Sequence, residues 1–357
     1  MVTLDQITRQ ILAIPREAGT PEAAMARDLV TGHLTALGYK VQVQKFSFTP
    51  ASLRAFPIFG AGLGGLALVL LPFLASTHLP AWAPLAVWLP GLLALTIVAG
   101  GVGLGWVPLG EPAREDANLI ATRDALPRRW IVAHLDSKAQ GHSMAGRLIA
   151  VWAIGLAIGV LTLLSLFRLT GPLSPIWLAI GAVLALGAGT LAGRGRLRGR
   201  SLGARDNGTG IVAALAAAEA VSDPSVGILI TGAEEFGLVG ARVFARLAGD
   251  LQEVEFINVD TVDQEGAVYL VSHDAAGERL ARRLEPLLSG LALPLKRRRL
   301  PLGIFVDSAP LARAHAPAVT IGRLTWGTLR CIHTPRDTPD ELSLDTANRI
   351  GRAIVSN

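Results

Sequence analysis

The stretch RWIVAHLDS, residues 129–137, runs from apolar into polar residues, and three later stretches repeat this pattern. They are VGILITGAEE at 226–235, EFINVDTV at 255–262 and APAVTIGR at 316–323. Short apolar runs that end in polar residues are typical of strands buried in a central sheet, with chemistry at their carboxyl ends. The chain is therefore expected to form an α/β domain around such a sheet.

Helical patterns accompany these strands. Residues 21–37 have apolar side chains at helical spacing and are followed by Gly38, a common helix stop. Residues 40–48, KVQVQKFSF, alternate apolar and polar side chains as a half-buried strand does. An Ala-rich helical run at 210–221 lies between two of the strand stretches. We predict a central, mostly parallel mixed sheet flanked by helices.

Four further stretches are apolar enough to span a bilayer, because each approaches the ~20 residues that a ~30 Å hydrocarbon core requires. Short links, STHLPA and RLTGPLSP, join them in two pairs, so each pair is expected to be an antiparallel transmembrane hairpin. The alternative is a set of buried core helices, but soluble cores rarely contain four such runs without a charge. The stretches run approximately from Ala55 to Ala75, Trp82 to Leu104, Leu148 to Phe167 and Ile176 to Ala192.

Small residues in two of these stretches predict close helix contacts. Gly60 and Gly64, and also Gly155 and Gly159, have the small-xxx-small spacing that lets helix backbones approach each other. The stretches contain no Asp, Glu, Lys or Arg, whereas transport pathways commonly need such groups. The helices are therefore interpreted as anchors.

The composition agrees with a membrane protein, because 51% of the residues are hydrophobic and only 17% are charged. The net charge of +5 comes with no nucleic-acid motif, so no nucleic-acid partner is expected. We expect an integral membrane protein of a bacterial inner membrane, with four transmembrane helices and a cytoplasmic catalytic domain, because arginines flank the apolar runs on one side. The N-terminal residues, which lack the apolar core of a signal peptide, agree with this. The flanking arginines are Arg54, Arg147, Arg194, Arg196, Arg198 and Arg200.

Several carboxylates and a histidine stand at the ends of successive predicted strands, while Asp206 precedes a helix and His333 lies near the C-terminus; groups at successive strand ends can converge on one point above the sheet. Oxygen and imidazole ligands without thiolate suit zinc or a similar divalent ion, and the single cysteine, Cys331, excludes a Cys-rich site. Taken singly, each residue has a structural alternative, such as a helix cap for Asp206 or a solvated loop pair for Glu234 and Glu235. The set consists of His134, Asp136, Asp206, Glu234, Glu235, Asp260 and His333.

The order of these residues resembles that of the co-catalytic di-zinc aminopeptidases. This family includes secreted bacterial leucyl aminopeptidases, yeast vacuolar aminopeptidase Y, glutamate carboxypeptidase and glutaminyl cyclase. The resemblance extends to residues 22–46 and 117–123, while the two hairpins depart from the compact secreted members. The motifs that carry it are AHLDS at 133–137, GARDNGTG at 203–210, GAEEFGLVGA at 232–241, NVD at 258–260 and CIHT at 331–334.

The resemblance implies a role for each position. Asp206 would bridge two zinc ions. His134 and Asp260 would complete the ligands of one ion, and Glu235 and His333 those of the other. Two catalytic roles are also implied: Asp136 would be the carboxylate that holds the ring of His134, and Glu234 the general base that takes a proton from the attacking water and passes it to the leaving amine. Another divalent metal in place of zinc stays open.

The resemblance also implies the organisation and the activity. Residues 1–54, 108–147 and 194–357 would form one zinc peptidase domain, interrupted by hairpins at 55–107 and 148–193. The expected activity is that of a membrane-anchored, zinc-dependent exopeptidase, an aminopeptidase acting on the N-termini of peptides or proteins. A carboxypeptidase, dipeptidase or glutaminyl cyclase with the same site is an alternative, and so is a non-catalytic membrane scaffold.

The second hairpin also suggests where substrates are met. The linker from Asp136 to Arg147 spans at most ~36–40 Å when fully extended, at ~3.3–3.6 Å per residue. We therefore expect peptide partners held near the lipid bilayer, which is itself a partner of the hairpins.

Several residues have less specific interpretations. Asp307 and Ser308 resemble the family's substrate-side loop, and Trp326 is expected either to line a pocket or to fill the core. The basic run at 296–299 is interpreted as a solvated face. Asp337 is expected to order a turn before the last helix.

Overall fold

A computed structural model describes residues 3–107 and 109–356. The chain divides into two compact units. One unit consists of Met1–Phe48, Ala113–Ala139 and Gly199–Asn357, and the other of Thr49–Pro112 and Gln140–Arg198. The first is an α/β unit with an eight-stranded mixed sheet, as predicted. We call the second, which contains the apolar helices, the helical unit.

The helices have the following bounds in chain order. They are α1 (Leu4–Leu12), α2 (Pro21–Ala36), α3 (Ala55–Ala75), α4 (Ala83–Gly103), α5 (Met144–Phe167), α6 (Pro175–Gly193), α7 (Thr209–Ala220), α8 (Val239–Leu247), α9 (Ala275–Ser289), α10 (Ser308–Arg313), α11 (Trp326–Cys331) and α12 (Asp345–Ala353).

The strands form one sheet with parallel strands at its centre. They are β1 (Lys40–Phe48), β2 (Arg114–Thr122), β3 (Arg129–His134), β4 (Val226–Thr231), β5 (Glu255–Val262), β6 (Ala267–Ser272), β7 (Leu295–Arg299) and β8 (Ala318–Leu324). The order across the sheet is β1-β2-β4-β3-β5-β8-β6-β7. The four central strands β4, β3, β5 and β8 are parallel, whereas β2 and β6 pair antiparallel with β4 and β8. The carboxyl ends of the central strands therefore meet at one edge.

Both faces of the central strands are buried, which explains their nearly continuous apolar sequence. Ile131 of β3 and Ile228 of β4 lie in one hydrophobic cluster, together with residues of α2, α7 and α12. The alternate residues Trp130 and Leu229 lie in a second cluster, with Phe244 of α8. Successive side chains of a strand point to opposite faces, so helices cover the sheet on both sides.

The sequence predicted five of the eight strands. Residues 40–48 and 255–262 form β1 and β5 with the predicted bounds, two further stretches contain β3 and β4, and the stretch at 316–323 contains β8 except for Leu324. The strands β2, β6 and β7 were not predicted. The basic run at 296–299 lies in β7, a largely exposed strand at the edge of the sheet, where charged side chains oppose further strand pairing.

The helical unit contains four helices, α3 to α6, that are long and apolar enough to cross a membrane. Their bounds lie within a few residues of the predicted stretches. Large apolar side chains on them point outward: Leu93, Ile97, Trp152 and Val183 are each more than half exposed. Monomeric soluble proteins rarely expose apolar surface on this scale, so these faces have the chemistry of a lipid-facing surface.

Inside the helical unit, one of the two predicted small-residue contacts is present. Gly60 of α3 lies against Gly189 and Ala192 of α6, where a Cβ at position 60 would lie 2.2 Å from the Cβ of Ala192 and 3.3 Å from the main-chain oxygen of Gly189. Gly155 and Gly159 lie on an exposed part of α5, so the contact predicted for them is wrong. The indole of Trp88 in α4 donates to Thr162 of α5 at 2.9 Å, which satisfies the indole N–H between apolar helices.

Candidate metal centre

Four of the candidate site residues lie at or near the carboxyl ends of central strands, whereas Asp206 precedes α7 and His333 follows α11. His134 is the last residue of β3, and Glu234 and Glu235 follow β4 after two residues. Asp260 lies inside β5, where the register with β8 shifts between Val259 and Val262. Such a bulge re-aims a side chain, which is a common use of bulges beside active sites.

Two groups of donor atoms form at this edge. His134, Glu234 and Asp260 make one group, and Asp206, Glu235 and His333 make the other. All five predicted metal ligands and the predicted base are thus brought together and are buried or nearly so. Which of them bind metal stays a prediction.

Asp206 faces both groups with different oxygens. Its Oδ1 atom lies 3.3 Å from Nε2 of His134, and its Oδ2 atom lies 3.0 Å from Nε2 of His333. His134 Nε2 also lies 3.8 Å from Oδ1 of Asp260, and His333 Nε2 lies 3.3 Å from Oε1 of Glu235. One carboxylate therefore joins two histidine–carboxylate pairs, which is the arrangement a bridging ligand requires.

The residues present fit zinc. Each group offers imidazole nitrogen and carboxylate oxygen, and its donor atoms lie within 4.8 Å of one another. Oε1 of Glu235 is buried and accepts no hydrogen bond from the part of the chain that the structure describes. Since buried polar atoms are normally satisfied, an orphaned carboxylate oxygen beside an imidazole is expected where a cation binds.

The segment that bears Asp206 is held by its backbone. The carboxylate of Asp337 accepts the N–H groups of Arg205 at 2.9 Å and Asp206 at 3.1 Å. The side chain of Asn207 donates to the carbonyl of Val259 at 3.0 Å and accepts the N–H of Thr261 at 3.1 Å. Asp337, expected to order a turn before the last helix, thus positions the candidate bridging residue, and it belongs to neither donor group.

Asp136 forms hydrogen bonds with His134, Glu234 and Glu235. The ring nitrogen Nδ1 of His134 lies 3.0 Å from the main-chain oxygen of Asp136 and 3.7 Å from its carboxylate oxygen Oδ1. The first distance is that of a hydrogen bond and the second is longer. The carboxylate instead accepts the N–H groups of Glu234 and Glu235 at 3.0 and 3.1 Å. The predicted contact with the ring is therefore made through the main chain of Asp136.

The backbone of the site is strained at three positions. Ala233, Thr261 and His333 have φ values of 51°, 53° and 64°, in the left-handed region that residues other than glycine rarely adopt. Each is a candidate ligand or lies next to one. Such strain clusters at functional sites, where the surrounding structure holds the backbone in place.

Charges within the site move the pKa values of the two histidines and two of the carboxylates. Burial lowers the pKa of His134 and His333, but nearby carboxylates outweigh this and raise both pKa values above the ordinary range. Burial raises the pKa of Asp206, but the two histidines outweigh it and hold that pKa far below its usual range. For Glu235, His333 and Lys138 outweigh burial and lower the pKa to about 2.

Two other carboxyl groups are shifted upward. Burial, together with Glu235, Asp307 and Asp260, raises the pKa of Glu234 well above its usual range. Burial raises the pKa of Asp307 to about 7. Asp307 is fully buried, and its Oδ2 atom accepts a short hydrogen bond from Thr231 at the end of β4. Glu234 therefore stands in a region that disfavours added negative charge, which suits a residue that must accept a proton.

Two buried cations near the site were not predicted. Arg16 is fully buried, and its guanidinium donates to the carbonyls of Leu135 at 2.8 Å, Leu202 at 2.7 Å and Gly203 at 2.9 Å. Lys138 lies 2.6 Å from a carboxylate oxygen of Glu235. Lys138 follows Asp136 by two residues. A lysine so close to a buried motif could have been recognised from the sequence.

The residues with less specific interpretations are also placed. Trp326 is 54% exposed, so the interpretation as a core residue is wrong. Ser308 is fully buried and hydrogen-bonds to His273 at 2.7 Å and to Thr320 at 2.6 Å. Its hydroxyl is thus engaged inside the fold.

Comparisons with known proteins agree with this geometry. Residues 185–357 match the model of peptidase family M28. None of the curated proteins matches the chain in sequence. Among solved structures, an aminopeptidase from Aneurinibacillus sp. strain AM-1 is similar, with a TM-score of 0.58 and 13% identity over 98% of this chain and 91% of the other.

Two further solved structures share the fold. A zinc aminopeptidase from Bacillus subtilis has a TM-score of 0.57 and 14% identity, and the match covers 99% of this chain and 95% of that protein. A glutaminyl cyclase from Fimbriiglobus ruber has a TM-score of 0.57 and 15% identity, and covers 99% of this chain and 94% of its own. The family match over residues 185–357 and the shared fold agree with the resemblance to the co-catalytic zinc peptidases.

Proposed function

We propose that this chain is a membrane-anchored zinc exopeptidase that removes residues from the N-termini of peptides, with Glu234 as the general base. The observation that carries the proposal is the position of Asp206. One of its oxygens faces His134 and the other faces His333, at the edge of a sheet that zinc aminopeptidases share. A single carboxylate placed between two histidines is suited to hold two cations a short distance apart.

The metal-holding roles follow from the two donor groups. We assign His134 and Asp260 to one zinc ion, Glu235 and His333 to the other, and Asp206 to both. Zinc bound there would polarise the scissile carbonyl and lower the pKa of the attacking water. Asp136 supports the first position, because its main-chain oxygen accepts from Nδ1 of His134 and so leaves Nε2 free to bind.

Glu234 performs the proton transfers in this proposal. It takes one proton from the water as the oxygen attacks the carbonyl carbon, and it gives that proton to the amine as the carbon–nitrogen bond breaks. In the metal-free protein, burial raises the pKa of Glu234 above its usual range, which suits a carboxylate that must accept a proton. The backbone N–H of Glu234 donates to the carboxylate of Asp136, which fixes the backbone from which the Glu234 side chain extends.

The apolar helices support membrane anchoring. Charged side chains are missing from α3, α4 and α6, and Arg147 near the start of α5 is the single one in these four helices. We propose that they hold the enzyme in a bilayer, with the catalytic unit in the cytoplasm and peptides near the membrane as substrates. Equal turnover of soluble and membrane-tethered peptides by the full-length protein in liposomes would contradict the last point.

A glutaminyl cyclase is the second candidate, since the enzyme from Fimbriiglobus ruber shares the fold. A cyclase closes an N-terminal glutamine on itself and releases ammonia without cutting a peptide bond. The two activities therefore give different products from one peptide that begins with glutamine. Mass spectrometry of that reaction separates a shortened peptide from a full-length pyroglutamyl peptide.

The proposal is tested with detergent-purified protein and a panel of aminoacyl-arylamides. We expect zinc-dependent release of arylamine from substrates with a free α-amino group, and no release from the matched N-acetylated compounds. Equal cleavage of the acetylated compounds would contradict an aminopeptidase. Protein that binds no zinc and releases nothing would support a non-catalytic membrane scaffold.

A further inference from the structure

A buried lysine contacts one of the two donor groups. Lys138 lies in the irregular segment after β3, and its side chain is almost fully buried. Its Nζ atom lies 2.6 Å from Oε2 of Glu235 and also donates to the main-chain oxygen of Glu235 at 3.3 Å. Both contacts go to one residue, so the ammonium is held against that carboxylate inside the protein.

The two oxygens of Glu235 therefore have different surroundings. Oε2 is paired with Lys138, whereas Oε1 is buried, accepts no hydrogen bond within the described ranges, and lies 3.3 Å from Nε2 of His333. One oxygen of Glu235 is available to a cation and the other is occupied by the ammonium. The lysine charge also offsets the carboxylate charge that would attract a cation.

Within the residues that the structure describes, the ion pairs of the other donor group join His134 to carboxylates, and none of them involves a lysine or an arginine. The basic partner of Asp260 in that group is the ring of His134, which is itself a proposed ligand, whereas Lys138 lies outside the donor set. The two groups thus differ in net charge by one built-in cation.

We propose that Lys138 is an internal counter-ion that makes the two zinc positions unequal. The position formed by Asp206, Glu235 and His333 binds its ion more weakly than the position formed with His134 and Asp260. The weaker ion is exchanged at zinc concentrations that leave the other in place, so the free zinc concentration regulates how much of the protein carries both ions. This inference rests on the proposed zinc site, because the charge of each donor set tunes the affinity for a divalent cation.

The test is zinc binding to Lys138→Met, which keeps the length of the side chain and removes its charge. Metal-free protein is titrated in chelator-buffered zinc solutions. Wild-type protein should bind in two steps whose dissociation constants differ by about tenfold or more. In the variant the weaker step should tighten by about tenfold or more while the tighter step stays unchanged. The matched control Lys45→Met, an exposed lysine of β1, should behave as wild type.

A second variant assigns the steps. Glu235→Gln should lose the weaker step and retain the tighter one. Loss of the tighter step, coincident steps in wild type, or a weaker step that Lys138→Met leaves where it was would each overturn the proposal. Wild-type protein that binds no zinc would instead contradict the proposed function, so the two failures are distinguishable.

The experiment also works if Lys138→Met fails to fold without metal. Such a failure would follow from the buried, unpaired charge of Glu235. The variant is then purified with zinc bound and exposed to excess chelator. Wild type should lose one ion quickly and one slowly, whereas the variant should lose both slowly. A fast phase of unchanged rate in the variant would overturn the role of Lys138.

Discussion

The carboxylate of Asp136 lies 3.0 Å from the backbone nitrogen of Glu234, across the ends of neighbouring strands β3 and β4. It accepts the N–H of Glu235 with its other oxygen at 3.1 Å. A charged acceptor that holds two consecutive amides fixes the loop that presents both glutamates. The position of the proposed base thus depends on a residue of another strand.

Replacing Asp136 by Asn should therefore impair catalysis more than metal binding. The amide can accept only one of the two N–H groups, while the main-chain oxygen that contacts His134 remains. We expect kcat to fall by about 10–100-fold with little change in KM and with unchanged zinc content. Asp124→Asn, at an exposed position, is the control. Zinc loss in parallel with the loss of activity would show that Asp136 acts through His134 instead.

Arg16 should be essential for the stability of the α/β unit. Its guanidinium joins carbonyls next to Asp136 to those of the segment before Asp206, and Arg16→Met would leave these buried oxygens unpaired. We expect a loss of about 3–5 kcal/mol in the free energy of unfolding, because each buried oxygen left without a donor costs about 1–3 kcal/mol. Thermal denaturation of the variant and of the exposed control Arg9→Met measures this. Equal melting temperatures would contradict it.

The affinity for zinc should rise steeply with pH. His134 and His333 have raised pKa values in the metal-free protein, so each keeps its proton to a higher pH than an ordinary histidine. Zinc must displace that proton, and the affinity therefore falls as pH decreases through the raised pKa values of the two histidines. Chelator-buffered titrations across this range measure the slope. An affinity that does not change with pH would contradict the prediction.

The same histidines predict the opposite trend for the metal-free fold. A raised pKa stabilises the folded state below the unfolded-state pKa of about 6.5, and this stabilisation is lost as pH rises through the folded-state pKa. The melting temperature of metal-free protein should therefore fall at alkaline pH, whereas that of zinc-loaded protein should not. Melting temperatures that change with pH in the same way in both forms would contradict this prediction.

A charge on an outward face of the apolar helices should weaken membrane integration. Leu93 of α4 is 61% exposed, and an arginine near the centre of a transmembrane helix costs about 2.5–3.5 kcal/mol. We expect Leu93→Arg to reduce the carbonate-resistant membrane fraction. Leu126→Arg, at an 89% exposed loop position of the α/β unit, should leave it unchanged. A Leu93→Arg protein that stays fully in the membrane fraction would contradict a lipid-facing α4.

Much of the fold and the proximity of the site residues could be predicted from the sequence, because the central strands are buried on both faces and read as short apolar runs. Strands β6 and β7 gave weaker signals. Tyr269 and Val271 alternate with residues that are more buried, and β7 is basic because it lies at an exposed edge. Their pairing depends on tertiary contacts rather than on local pattern.

The supporting residues of the site could not be predicted in the same way. Arg16 and Asp337 are distant in sequence from the segments that they hold, and their partners are backbone groups that any sequence provides. Asp136 was assigned to the ring of His134, but its carboxylate contacts amides whose positions depend on the loop after β4. The role of Lys138 depends on its contact with Glu235, which is a tertiary contact.

The most direct test of the account is the activity and zinc content of Glu234→Ala beside wild type. If Glu234 is the general base, hydrolysis of aminoacyl-arylamides should fall by about 10²–10⁴-fold while the zinc content stays the same. Activity that survives the substitution would contradict the account. Loss of zinc together with activity would also contradict it, because Glu234 would then be a ligand of the group that contains His134 and Asp260.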